Sequence, residues 1–126
     1  MPKATIEFAV GQVWSYQSRA VEPDSTLTIV QIDAVEDAET IHISLAGLKM
    51  INPHVASGFG TAIAHLPITV PALQASVTEL LATTDQLPDF QAGYDIWHQA
   101  FTAGEGGVFT LTVAECVAFL EQALNP

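Results

Sequence analysis

Apolar and polar positions follow two different rhythms along this chain, and the change falls near its middle. From Gln12 to Arg19 they alternate, with Trp14 and Tyr16 on one side and Val13, Ser15 and Gln17 on the other. This is the period of a half-buried strand. Pro23-Asp24-Ser25 is a turn signal. Thr26 to Ala34 is rich in β-branched residues and apolar on both sides, which suits a central strand. Asp37-Ala38-Glu39 makes a hairpin tip. From Thr40 to Met50, Ile41, Ile43 and Leu45 share one face and His42 and Ser44 the other. Gly47 breaks that phase, which predicts a bulge. Asn52 to Pro67 shows no clear period and reads as a long loop.

Beyond that loop the spacing becomes helical. Thr69 is the expected N-cap of a first helix with Pro71 in its first turn, Ile68 stapled to Leu73, and a face of Leu73, Val77, Leu80 and Leu81. Asp89 is the expected cap of a second, which runs to Gly104 and carries Phe90, Tyr94, Trp97 and Phe101 on one face. The run 104–107 is a turn, and Val108 to Leu111 a short strand extending the meander. Thr112 and Glu115 have the spacing of a capping box for a last helix faced by Val113, Cys116, Val117, Leu120 and Leu124. The expected fold is a single α+β domain over residues 1–126. It has a three- to four-stranded antiparallel meander, with three C-terminal helices packed on one face.

Composition narrows the function classes. The chain is 49% hydrophobic and only 13% charged, so it should fold around a real core. Its net charge is −11, and all three basic residues, Lys3, Arg19 and Lys49, lie in the first 49 positions. Phosphate backbones are held chiefly by Lys and Arg, so nucleic-acid binding is excluded and anionic membranes are disfavoured. The start of the chain has no signal-peptide pattern, and the uncharged stretch 50–78 is broken too often by Pro, Gly, Asn and His to span a membrane. The lone Cys116 forms no intramolecular disulfide. A cytoplasmic protein is the expectation.

No catalytic constellation stands out. The four histidines lack metal-ligand spacing, so neither a metal nor a cofactor is implied. His54, His65, Trp97 and His98 are the candidates for a ligand pocket under the 52–67 loop. Asp33, Glu36, Asp37 and Glu39, around the hairpin tip, are the candidates for an acidic contact patch. For the aromatic stripe, the clean period favours core packing over a ligand platform or an interface.

The segments GQVWSYQSR, HLPIT, SVTEL, W-x-x-AF and GVFTLTVAE together resemble a group of small bacterial proteins. That resemblance spans most of the chain. It implies a small intracellular bacterial domain, and no activity or catalytic residue comes with it. The reading that charge and size favour is a non-catalytic module binding a basic protein, for instance an immunity-type inhibitor of a cationic toxin. A small-molecule or enzymatic pocket is the alternative, and self-association into a homo-oligomer a third.

Overall fold

A computed structural model describes residues 7–35, 38–105 and 107–125. Its elements are β1 (Gln12–Tyr16), β2 (Thr26–Val35), β3 (Ala38–Ile51), β4 (Phe59–Thr69), α1 (Val70–Ser76), β5 (Val77–Thr83), α2 (Gln91–Thr102) and α3 (Val113–Leu124). The five strands form one antiparallel sheet in the order β4-β3-β2-β1-β5. The fold is α+β, as the patterning predicts, with one strand more than the meander allowed for.

The alternation in β3 organises both faces. Ile41 lies between Ile32 and Ile68, and Ile43 between Ile29 and Leu66. Side chains directly opposite share a face. These residues meet Leu73 of α1 and Val113, Cys116 and Val117 of α3 in one apolar core. His42 and Ser44 point the other way, and they too are buried. The second face is covered by α2, whose Trp97 lies edge-on to His42 at 4.6 Å between ring centroids. The helices therefore divide between the two faces instead of sharing one. A strand buried on both faces needs cover on both, and α2 supplies it beside His42 on this side.

Three further readings need correction. The stretch Asn52–Pro67 is a tight turn over 52–58 followed by strand β4, not a long loop. Pro67 hides that strand from pattern reading, yet it sits where proline is tolerated, on an edge strand. The first helix keeps its Thr69 cap, whose hydroxyl accepts from the Ala72 N–H, but it ends at Ser76. Val77–Thr83 pairs with β1 as an edge strand, leaving Leu80 and Leu81 exposed rather than on a helix face. Tertiary pairing overrides a short helical spacing there. Finally, α2 begins at Gln91 with Phe90 at the cap position and no side-chain cap, so Asp89 does not perform that role. Residues 108–111 contribute a single bridge, Phe109 to Ile68, at the outer edge of β4.

The readings at Gly47 and Thr112 hold. Gly47 has φ of 73°, the β3–β4 register shifts between Ala46 and Met50, and a Cβ there would lie 3.2 Å from the Ser25 backbone. Thr112 and Glu115 form the reciprocal capping box of α3. Among the described residues no helix is long and apolar enough to cross a membrane.

A partly buried ion cluster centred on Glu22 ties the ends of the fold together. Arg19 donates to both oxygens of Glu22 at 2.9 Å and to Glu121 of α3 at 2.7 Å. Glu22, only 3% exposed, also accepts the Lys49 N–H, and Glu121 accepts the Ile51 N–H. Removing one member of a buried pair strands the other without water. Glu22→Ala is expected to cost about 3 kcal/mol in urea unfolding; a loss below the scatter of the measurement would show that the cluster does not hold α3 to the sheet.

Candidate functional site

The polar face of the sheet collects a set of side chains that are far apart in sequence. His42, at the middle of β3, is 0% exposed. A buried imidazole must satisfy both nitrogens. Its Nε2 lies 3.1 Å from Asp33 Oδ2 on β2, and its Nδ1 lies 2.7 Å from His65 Nε2 on β4. Tyr94 of α2 donates its hydroxyl to the same Asp33 oxygen at 2.8 Å, and Gln31 donates to Asp33 Oδ1 at 3.1 Å. Among the described residues no buried side-chain nitrogen or oxygen lacks a partner.

Proton positions follow from the charges. Partial burial pushes the Asp33 pKa up, but hydrogen bonds from Gln31 and Tyr94 and the nearby His42 together bring it below the ordinary carboxylate value. Asp33 is therefore an anion that accepts, so His42 carries its proton on Nε2. Burial lowers the His42 pKa, and attraction to Asp33 offsets only part of that, so the ring is neutral near pH 7. Its Nδ1 then accepts from His65 Nε2–H, and His65 Nδ1 keeps a lone pair. Burial, with His42 beside it, holds the His65 pKa down to about 4. Burial and the Asp33 hydrogen bond push the Tyr94 hydroxyl up to about 12.

Helix α2 seals this network. Of its aromatic stripe, Tyr94 and Trp97 lie against His42, with Trp97 9% exposed and its indole N–H donated to the Gly107 carbonyl at 2.8 Å, whereas Phe90, Tyr94 and Phe101 are half-buried, so the core packing expected of the stripe holds fully only at Trp97. Gly93 permits the close approach, because a Cβ there would sit 2.8 Å from His65 Cβ. His98 stacks on Tyr94 at 5.7 Å, on the exposed side of the helix. Between β2 and α2 a cleft of about 400 Å³ remains, lined by Ile32, Asp33 and Ala34 below and Trp97, His98, Phe101 and Thr102 above.

Of the pocket candidates, His65, Trp97 and His98 come together around α2, under a helix rather than under a loop. His54 is exposed in the 52–58 turn, its backbone N–H donated to the Asn52 side chain. Of the acidic candidates, the structure describes Asp33 and Glu39. Asp33 is committed to His42, Tyr94 and Gln31, whereas Glu39 lies in the opposite pleat beside the start of α1. Glu36 and Asp37 lie outside the described residues. His42 is the member that sequence reading left out of the candidates, and Tyr94 was read only as part of the aromatic stripe. The signal for His42 was its polar position in an otherwise apolar, doubly buried strand. Among the described residues no group of three or more His, Cys, Asp or Glu side chains is placed to hold a metal. Cys116 is fully buried, and burial raises its pKa to about 11, which leaves the thiol unreactive.

Comparison with protein-family models, with curated proteins and with solved structures gives no match.

The histidine pair makes stability depend on pH. Both pKa values lie below the unfolded value of about 6.5, so the unfolded chain binds more protons below that pH. Stability is full above about pH 6.5 and is lost as pH falls, with the His65 share spent by about pH 4. For His65 the loss is on the order of 2 kcal/mol, allowing for its partial exposure. Urea unfolding at pH ~7 and pH ~5 should show the fall, and His65→Gln should reduce it. Equal midpoints at the two pH values would contradict the assignment.

Proposed function

We propose that this chain is a non-catalytic acidic binding module that engages a basic protein partner, in a bacterial cytoplasmic setting. The observation that supports this reading is the disposition of its charge. Glu7, Asp24, Glu39, Glu79, Asp85, Asp89, Asp95, Glu105 and Glu115 are exposed, and among the described residues none forms a salt bridge. Arg19 is taken up internally by Glu22 and Glu121, and Lys49 lies over the Phe59 ring at 5.5 Å. The negative field is thus left open to solvent on a rigid, well-packed frame. Such a field accelerates encounter with a cationic surface and disfavours anionic ones. An inhibitor that covers a cationic toxin is one form this function takes. A small-ligand role is favoured separately by the cleft beside Asp33.

Parallel capture with wild type and the triple variant Asp85→Asn, Asp89→Asn, Asp95→Asn tests the reading. Lysate of the source organism is loaded at low salt and eluted with a salt ramp. The expected result is a basic protein that leaves wild type at moderate salt and is retained weakly by the variant. Retention that ignores both salt and the three substitutions would exclude an electrostatic module.

A further inference from the structure

We propose that the cleft between β2 and α2 is a binding site for an organic cation, with a planar guanidinium as its preferred form. The anchor is Asp33. A carboxylate offers about four acceptor positions, and three are filled, by Gln31 on Oδ1 and by His42 and Tyr94 on Oδ2. Among the described residues one position on Oδ1 stays open, on a side chain that is 21% exposed and lines the cleft. All three donors are neutral, so the site keeps its full unit of negative charge. Among the described residues no lysine or arginine lines the cleft to balance it.

The opposite wall fits the same ligand. Trp97 and Phe101 are stacked at 4.7 Å between centroids, 22° from parallel. The Trp97 N–H is taken up by the Gly107 carbonyl, so the indole brings no free donor to the cleft, which Trp97 and Phe101 line with aromatic carbon. Cations are attracted to such faces, and guanidinium groups stack on them better than ammonium groups do. A hard metal ion is a poor match, since it needs several oxygen ligands and the cleft offers one carboxylate.

This site deepens the proposed reading, because a basic partner would present such a group. It rests on that reading only for the source of the cation. The test uses small probes on the whole chain, followed by NMR shifts of the Trp97 indole N–H and the α2 amides. Acetyl-arginine amide is expected to shift these signals saturably, and the uncharged acetyl-citrulline amide to leave them in place. Asp33→Asn should weaken binding by about tenfold or more. Because that change also touches His42 and Tyr94, Thr102→Arg at the exposed rim serves as a second variant. Its own guanidinium would occupy the cleft and exclude the probe, with no core residue altered.

Agmatine and a Gly-Arg-Gly peptide separate the sources. Preference for agmatine assigns the site to a free amine metabolite, and preference for the peptide to a partner's side chain. The proposal is overturned if neither cation shifts the α2 signals, if citrulline amide binds equally, or if both variants bind like wild type. Such a failure would leave the salt-dependent partner capture standing, so the site and the wider reading fail separately.

Discussion

A fully buried imidazole in the middle of a sheet has two nitrogens to satisfy and no water to satisfy them, and one whole face of this protein is arranged around that demand. His42 needs an acceptor on one side and a donor on the other. Asp33 and His65, on the strands either side of β3, supply them. Asp33 then draws in the hydroxyl of Tyr94, which brings α2 onto the sheet, and Gly93 lets the helix settle against His65. Half-satisfied, such a network would destabilise the fold more than an apolar layer would; with every member paired it specifies one packing. The opposite face is chiefly an oily core of Ile, Leu and Val closed by α1 and α3, with its few buried polar groups paired locally, as Ser76 is with Ala72 and Val113.

Charge is handled with the same economy. With three basic residues in the whole chain, few carboxylates can be neutralised by ion pairing. Arg19 is placed where it does most, joining the β1–β2 connection to α3. Asp33 is held instead by neutral donors, which stabilise the anion without cancelling its charge. The remaining carboxylates among the described residues face water. A protein built this way keeps a negative exterior and one recessed carboxylate beside an aromatic wall, and both features favour cationic ligands.

Much of this was legible in the residues. The β-branched run Thr26–Ala34, the alternation in Thr40–Met50, the bulge at Gly47, the Thr69 cap and the Thr112–Glu115 box are local signals, and each reappears where its chemistry places it. β4 was not legible, because Gly60, His65 and Pro67 interrupt its pattern and its stability comes from pairing with β3. β5 was misread because Val77, Leu80 and Leu81 fit a helical period as well as a strand edge. The candidate site was half visible. His65, Trp97 and His98 were picked out, but as neighbours under a loop. His42 reads in sequence as the polar face of a strand, and only a helix arriving from fifty residues further on turns that face into an interior.

The central claim is that a neutral, directed chain runs from His65 through His42 to an ionised Asp33. Long-range ¹H–¹⁵N NMR of the imidazole nitrogens, followed from pH ~8 to pH ~4, tests it directly. The expected result is that both rings carry their proton on Nε2 near neutrality, and that His65 titrates near the low end of that range. A His65 that titrates near 6.5, or a His42 proton on Nδ1, would contradict the account.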